Sequence, residues 1–275
     1  MPNSTEPYLN FFKTRYQLDI SIYDAAFLQN IITDRRRELA IEPNGEYLNY
    51  LESCSDEAFV FRDRLTNSYS EFFRNPLTFA YIEQVILPQI IEKKRIKKET
   101  EIRIWSAACA LGQEAYSLAI ICHEVIENKL EDLNFRIFAT DINQETIDQA
   151  QRGIYQAVAI TKATLNRIQT YFIRKGENYS IALTIKNYVD FSVFNLLSDQ
   201  GSCPPASIYG NFDLVFCCNL LFYYKPEYRI AMLEKIGTSL AKGGYLITGE
   251  TEREILQANN YREIFANSAI FQKRQ

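Results

Sequence analysis

The stretch IRIWSAACALGQEAYSLAI, residues 102–120, joins an apolar run to a helical pattern through one glycine, Gly112. Residues 103–108 have the length and composition of a buried strand, whereas residues 114–127 carry apolar side chains three and four positions apart, as a helix does. A strand that leads directly into a helix is the first unit of an α/β sheet, and such sheets bind ligands at the carboxyl ends of their strands. We therefore expect a ligand site at this junction.

Strand and helix patterns continue to alternate after the junction. Strand patterns lie at residues 135–142, 188–197, 212–221 and 244–250, and helix patterns at 144–154 and 227–241. This alternation predicts an α/β fold with a parallel-rich sheet that is covered by helices on both faces. Short runs within residues 171–191 interrupt the alternation and predict a small antiparallel hairpin inserted into the α/β unit.

The first third of the chain has a different pattern. Helical periodicity is present at residues 8–18, 23–40, 45–53 and 56–65, with no convincing strand, and a lysine-rich stretch follows at 92–101. The sequence therefore predicts an all-α N-terminal domain over residues 1–87, a linker over 88–100 and the α/β domain with its insert over 101–275.

Composition excludes several classes of protein. The 275 residues are 47% hydrophobic and include 18 Phe and 18 Tyr, so the chain can bury a sizeable core. A net charge of −4 argues against broad nucleic-acid binding. No apolar stretch approaches the length of a membrane span and the N-terminus does not resemble a secretory signal, so we expect a cytoplasmic protein without membrane insertion. The six cysteines and the single His123 lack zinc-ligand spacing, and no metal site is expected.

The junction itself restricts the ligand. It lacks both the lysine of a phosphate loop and the three glycines of a dinucleotide loop, which favours a ligand without phosphates. Glu114 in the first turn of the helix could accept hydrogen bonds from an ammonium group or hydroxyls, and Asp141 at the end of the second strand is placed to accept both ribose hydroxyls of an adenosine. S-adenosylmethionine (SAM) fits these features, while another nucleoside, a helix cap at Asp141 or a dipole role for Glu114 remain open.

Five segments in the same order resemble a known family. RIWSAACALGQEAYSLAI at residues 103–120 is similar to the R-(V/I)-W-S-A-A-x-(S/T)-x-G-E-E-P-Y-S-(I/L)-A motif of the chemotaxis receptor methyltransferases, the CheR family. LTNSYSEFFRNP (65–76), FATDINQETIDQAQRGIY (138–155), YVDFSVFNLL (188–197) and the segment from FDLVFCC to GETE (212–252) resemble the other motifs. With the N-terminal helices, the resemblance covers nearly the whole chain.

The resemblance implies a fold and an activity. The fold is a Rossmann-like SAM-dependent methyltransferase domain with a small antiparallel insert, preceded by an all-helical domain. The activity is methyl transfer from SAM to glutamate carboxylates on the cytoplasmic helices of chemoreceptors or related signalling proteins, which gives glutamyl methyl esters and S-adenosylhomocysteine. We expect the enzyme to be a monomer. Carried over by position, the cofactor contacts fall on Ser68, Ser70, Arg74, Glu114, Asp141, Asn195, Leu196, Cys218 and Asn219, and the catalytic positions on Arg74 and Tyr223.

Some of these positions depart from the family pattern. Ser68 stands where the family has Asn, Ser70 where it has Thr, Cys218 where it has Arg, Gln113 and Ala115 where it has Glu and Pro, and GETE where it has GHSE. The change at Cys218 removes a long cation with up to five donors. Two alternatives therefore stay open: a CheR-like module that binds SAM or S-adenosylhomocysteine with little or no transfer, and a carboxyl methyltransferase for a protein outside chemotaxis.

Two surfaces are candidate partner sites. Arg35, Arg36 and Arg37, with Arg62 and Arg64, form a basic patch that is either a solvated helical face or, by resemblance, a docking surface for the acidic methylation region of a receptor. The insert around Lys175 to Lys186 resembles a subdomain that in some relatives binds a receptor's C-terminal peptide as an extra strand.

Overall fold

The chain forms two compact units. The structure, a computed structural model, describes residues 5–41, 46–66, 70–127, 133–199 and 201–274. The smaller unit comprises Met1–Asn67 with Leu221–Arg229, and the larger unit comprises Ser68–Leu220 with Ile230–Gln275.

Helices build the smaller unit, as the sequence predicts. They are α1 (Glu6–Tyr16), α2 (Ala25–Glu38), α3 (Glu46–Ser53) and α4 (Ser55–Leu65). The Asp24 carboxylate accepts the backbone N–H of Ala26 at 2.9 Å and so caps the start of α2. Stacked rings of Phe12 and Phe61, with centroids 4.8 Å apart, join α1 to α4 in the unit's core.

Two sheets build the larger unit. Their strands are β1 (Glu101–Ala107), β2 (Asn134–Asp141), β3 (Ile154–Gln156), β4 (Phe172–Lys175), β5 (Asn178–Ile181), β6 (Val189–Val193), β7 (Phe212–Cys217), β8 (Leu240–Thr248), β9 (Tyr261–Glu263) and β10 (Ile270–Lys273). The remaining helices are α5 (Pro76–Tyr81), α6 (Leu87–Lys97), α7 (Gln113–Glu127), α8 (Gln144–Arg152), α9 (Leu165–Tyr171), α10 (Leu183–Lys186), α11 (Pro226–Ser239) and α12 (Arg253–Ala258). A π-helical turn, Ile82–Ile86, joins α5 to α6.

The large sheet confirms the predicted α/β fold. Its strand order is β6-β2-β1-β7-β8-β10-β9, with the first five strands parallel and β10 antiparallel to both of its neighbours. Every residue of Ile102–Ala107 in β1 is buried, Arg103 and Ser106 included, as expected for a strand in the interior of a parallel sheet. The Trp105 indole N–H donates to Thr140 Oγ1 at 2.9 Å and fixes β1 against β2 from within the core.

The small sheet contains the predicted hairpin and one more strand. β4 and β5 pair antiparallel around a turn at Gly176, whose φ is +64°, and β3 pairs with the other side of β5. β3 lies outside the predicted segment 171–191, because its three residues are too few to show a periodic pattern. The last part of that segment, from Val189 onward, is β6 of the large sheet.

Residues 88–97, expected to belong to a linker, are helical. They lie in α6, where Ile90 and Ile91 are buried and the Lys94 ammonium forms an ion pair with Asp213 at 2.9 Å. The high lysine content of this stretch hid its apolar face, because long lysine side chains also flank buried positions. Throughout the described ranges, no helix combines the length and apolar character needed to cross a bilayer.

Candidate functional site at the carboxyl edge of the sheet

Four parallel strands end together at one edge of the large sheet. Ala107 of β1 lies opposite Thr140 of β2, Asp141 of β2 lies opposite Val193 of β6, and Ser106 of β1 lies opposite Phe216 of β7. The last residue of β2, the loops that follow these strands and the first turn of α7 carry six of the sequence-predicted site residues: Glu114, Asp141, Asn195, Leu196, Cys218 and Asn219. Their shared position follows from the strand order of the sheet.

The loop between β1 and α7 has an unusual backbone. Ala108 and Ala110 have φ of +59° and +47°, in the left-handed region that residues with a Cβ rarely adopt. Each such residue costs about 1–2 kcal/mol, so neighbouring contacts must hold the loop in place. Cys109 supplies one contact by donating its N–H to Thr140 O at 2.8 Å, and Ala110 supplies another by donating to Asp141 Oδ2 at 3.0 Å.

Gly112 is required at the end of this loop. Its φ is +86°, and a Cβ at this position would lie 3.0 Å from both the Ala150 Cβ and the Phe191 ring. The glycine therefore lets α8 and β6 pack closely against the junction. No phosphate-binding role is needed to explain it.

Asp141 links the loops after β1 and β2. Besides the N–H of Ala110, its carboxylate accepts the N–H of Asn143 at 3.1 Å, and burial raises the pKa of Asp141 while these backbone hydrogen bonds oppose the rise. The helix-cap alternative fails, because the side chain that caps α8 is Asn143, which accepts from Glu145 and Thr146. A carboxylate has about four acceptor positions, which leaves Asp141 capacity for a ligand.

Glu114 lies half-buried in the first turn of α7. Its Oε1 accepts the Ser106 hydroxyl at 2.7 Å. Burial raises the pKa of Glu114 to about 7, against the lowering effects of the Ser106 and Cys218 hydrogen bonds and the charge of Arg74. The carboxyl group is therefore close to half-ionised at neutral pH, and a cationic ligand beside it would complete its ionisation.

Cys218 occupies the loop after β7 and contacts Glu114. Its thiol hydrogen-bonds to the Glu114 carboxyl and lies 3.8 Å from the Ile247 carbonyl oxygen. Burial is the largest cause that raises the pKa of Cys218 far above the usual thiol value, and the nearby carboxylates raise it further. A neutral thiol is a weak hydrogen-bond donor and a poor nucleophile, which argues against a catalytic cysteine here.

Glu252 was missed by the sequence reasoning. This fully buried carboxylate accepts the backbone N–H groups of Asn219, Leu220 and Gly249, each at 2.8 Å. Asn219 has φ of +59°, so Glu252 stabilises the left-handed turn after β7. The signal in the sequence is the GETE segment, residues 249–252, whose last residue is Glu252.

The other cofactor positions lie on two further segments. Asn195 Oδ1 accepts the N–H of Leu197 at 2.8 Å, and the neighbouring Leu196 is buried. Ser70 and Arg74 are half-buried on the segment before α5, and the charge of Arg74 acts on Glu114. Ser68 lies outside the described residues.

Tyr223 belongs to the smaller unit. Its ring centroid lies 4.6 Å from that of Phe27, and its carbonyl oxygen accepts the backbone N–H of Asp24 at 2.8 Å. The catalytic role of Tyr223 stays a prediction.

The basic patch on the smaller unit is largely paired internally. Buried Arg35 donates from Nε and Nη2 to Glu57 at 2.8 and 2.6 Å, and the Tyr47 hydroxyl donates to the same carboxylate at 2.7 Å. Arg64 pairs with Glu38 at 2.9 Å. Arg35 therefore serves the fold of this unit and is not available to a docking partner.

The site fits a nucleoside that carries an amino acid. Asp141 retains acceptor capacity, Glu114 favours a cation, and the amide oxygen of Gln113 is buried with no hydrogen-bond partner among the described residues. Since the junction has no phosphate loop, these features place the larger unit among the Rossmann-like SAM-dependent methyltransferase domains.

The chain belongs to the CheR methyltransferase family. Residues 68–270 match the family described as CheR methyltransferase, SAM binding domain, so this protein is a methyltransferase and its cofactor is SAM. Among similar proteins, the chemotaxis protein methyltransferase of Listeria monocytogenes is 28% identical with 99% of both chains covered. That of Escherichia coli K12 is 31% identical over 81% of this chain and 74% of its own. Chemotaxis protein methyltransferase 1 of Pseudomonas aeruginosa is 34% identical over 69% of this chain and 68% of its own.

Proposed function

We propose that this enzyme transfers the methyl group of SAM to glutamate side-chain carboxylates on the cytoplasmic helices of chemoreceptors. The products are glutamyl methyl esters and S-adenosylhomocysteine, and the enzyme acts in the cytoplasm as a monomer. The main support is the convergence of Glu114, Asp141 and Cys218 at the carboxyl edge of a domain whose family includes chemotaxis protein methyltransferases.

Each acidic residue would hold one part of the cofactor. Asp141 would accept hydrogen bonds from the ribose hydroxyls through its remaining lone pairs, and Glu114 would accept hydrogen bonds from the ammonium group of the amino-acid moiety. Arg74 would bind the carboxylate of the cofactor's amino-acid moiety, or that of the incoming glutamate, through paired N–H donors. Ser70, Asn195, Leu196 and Asn219, with Ser68, would complete the contacts. When bound, SAM supplies a methyl group on a positively charged sulfur.

The acceptor needs placement more than proton transfer. A glutamate side chain has a pKa of about 4.3 and is ionised at pH 7, so no general base is required. Arg74 would align the incoming carboxylate, and exclusion of water would strengthen the attraction between the opposite charges. Tyr223 would orient the same carboxylate or support the sulfonium with its ring.

A second candidate function is supported by Cys218. A thiol in place of the family's arginine removes a cation beside Glu114, which would weaken binding or catalysis. The protein would then be a module that binds SAM or S-adenosylhomocysteine with little transfer. A third candidate retains the transfer but directs it to a protein outside chemotaxis.

Two measurements separate these candidates. Calorimetric titration with S-adenosylhomocysteine tests cofactor binding, and transfer of radiolabelled methyl groups from SAM to cytoplasmic receptor fragments tests the reaction. The proposal requires binding, labelling of receptor glutamates and release of the label as methanol on mild base treatment. A receptor fragment with its acceptor glutamates changed to alanine is the matched control. Binding without transfer to the native fragment would contradict the proposal and leave the second and third candidates.

A further inference from the structure

The segment that carries Ser70 and Arg74 is held in a strained conformation. Residues 70–75, which we call the arginine segment, lead into α5. Phe73 within this segment has φ of +53°, which costs about 1–2 kcal/mol for a residue with a bulky side chain. Such a conformation persists only when surrounding contacts fix it, and it sets the direction in which Arg74 leaves the backbone.

Buried contacts fix the inner side of the arginine segment. The N–H of Phe73 donates to the Ser117 hydroxyl at 3.0 Å, which ties it to α7. The Phe72 ring lies edge-on to Tyr155 of β3 and Phe172 of β4, with centroid distances of 4.9 and 5.0 Å. Residues 154–181, which we call the insert, therefore pack directly on this segment.

Arg167 of the insert lies over the Phe73 ring. Its guanidinium carbon is 4.8 Å from the ring centroid, a cation–π distance. Two carboxylates fix that position: Glu124 of α7 accepts from Nε and Nη2, the latter at 2.6 Å, and Glu83 of the π-helical turn accepts from Nη2 at 2.9 Å. The Arg167 side chain is only 15% exposed, so this cation is held firmly.

Lys162 of the insert contacts the outer side of the arginine segment. Its ammonium pairs with the Glu71 carboxylate and lies 3.5 Å from the carbonyl oxygen of Arg74. Tyr155 extends the contacts of the insert to the junction loop by donating its hydroxyl to the Leu111 carbonyl at 2.8 Å. The insert thus touches two of the loops that form the candidate site.

We propose that Arg167 is a positioning residue for methyl transfer: from the insert, it holds Phe73 in its left-handed conformation and thereby directs Arg74 toward the cofactor. Lys162 supports the same segment from its exposed side. The inference rests on the proposed role of Arg74 in binding the carboxylate of the cofactor's amino-acid moiety. It assigns to the insert a part in building the site.

The test is the substitution Arg167→Lys, with Arg174→Lys as the matched control. Lysine keeps the positive charge but loses the planar fork that binds two carboxylates, so the cation moves away from Phe73. Arg174 lies on the same insert and donates from Nε to the Gly176 carbonyl within its own turn. Calorimetric affinity for S-adenosylhomocysteine should fall about tenfold in Arg167→Lys and less than twofold in Arg174→Lys, with circular dichroism unchanged in both.

A double-substitution experiment separates positioning from general stability. If Arg167 acts through Arg74, then Arg167→Lys should lower the affinity less than twofold further in an Arg74→Ala background. A full additional tenfold loss in that background would overturn the inference while leaving the role of Arg74 intact. An affinity in Arg74→Ala equal to that of the unaltered protein would remove the proposed role of Arg74 and the inference with it.

Lys162→Met keeps the inference testable if Arg167→Lys fails to fold. The Lys162–Glu71 pair is partly exposed, and such pairs contribute at most about 1 kcal/mol to stability, so this variant should fold. We expect its affinity for S-adenosylhomocysteine to fall about threefold, with the thermal midpoint within a few degrees of the unaltered protein. Unchanged affinity would contradict a supporting role for this side of the insert.

Discussion

At the residue scale, the most informative pair is Glu114 and Cys218. The sequence could indicate that each faces a ligand, because both lie in segments that resemble family motifs. It could not indicate that burial raises the pKa of Glu114 to about 7, since this depends on packing contributed by distant segments. Glu252 escaped the sequence reasoning for the same reason, because its three backbone partners come together only in the fold.

The raised pKa of Glu114 predicts a pH dependence of cofactor binding. Without ligand, folding favours the protonated form of Glu114, because its pKa is higher in the folded protein than in the unfolded chain. The contribution of Glu114 to the free energy of unfolding therefore falls as the pH rises from the pKa of the unfolded chain toward 7. A ligand ammonium favours the ionised form, so affinity for S-adenosylhomocysteine should increase severalfold between pH 6 and pH 7.5. Calorimetry at several pH values measures this, and Glu114→Gln should bind more weakly with a flat profile. An unaltered protein with a flat profile would contradict the prediction.

Arg74→Ala should abolish methyl transfer while leaving the fold intact. Misplacement of a reacting group by about 1 Å can cost 100-fold in rate, whereas a half-buried arginine on a short segment contributes little to the core. Transfer of labelled methyl groups to receptor fragments measures the rate, and circular dichroism checks the fold. Arg174→Ala is the matched control and should retain full activity. Near-normal turnover in Arg74→Ala would remove this residue from the mechanism.

At the element scale, long apolar patterns were predictable and short or charged ones were not. β1 and β2 are buried over most of their length, and their apolar runs identified them directly. β9 and β10 have three and four residues, too few for a periodic signal, and they form only through antiparallel pairing at the sheet edge. The lysines of α6 mask its buried isoleucines, so its sequence resembles a surface connector.

Two glycines with positive φ, Gly112 before α7 and Gly176 between β4 and β5, should differ in how well they tolerate substitution by alanine. Gly112→Ala combines a positive φ with contacts of 3.0 Å to Ala150 and Phe191, whereas Gly176→Ala has a positive φ but no atom within 4 Å. We expect Gly176→Ala to cost about 1 kcal/mol and Gly112→Ala at least twice as much. Thermal or denaturant unfolding measures the difference. Equal losses would show that packing around Gly112 is looser than described.

At the scale of the whole molecule, the sequence predicted the α/β fold, the helical N-terminal region and the cofactor, chiefly through five ordered motifs. The sequence did not predict which segments of the chain make up each of the two units. Leu221–Arg229 belongs to the smaller unit although more than 150 residues separate it from Asn67. Packing of Tyr224 on Tyr23, with ring centroids 4.9 Å apart, contributes to this assignment and has no local sequence signal.

The basic patch predicts how ionic strength affects receptor association. Arg36, Arg37, Arg62 and Arg64 remain as candidates for steering once the buried Arg35 is set aside. If they steer an acidic receptor surface, the association rate should fall severalfold when ionic strength rises tenfold, because the screening length shortens about threefold. Stopped-flow measurements with receptor fragments test this, and Arg37→Glu should weaken the salt dependence. A rate indifferent to salt would exclude electrostatic docking.

The central claim is that SAM lies across the carboxyl ends of β1 and β2 with its ribose on Asp141. A crystal structure with S-adenosylhomocysteine tests it most directly. We expect density beside Gly112, with both ribose hydroxyls within hydrogen-bond distance of the Asp141 carboxylate and the ammonium group near Glu114. Density for the nucleoside at any other place, or protein side chains filling this cleft at saturating ligand, would contradict it.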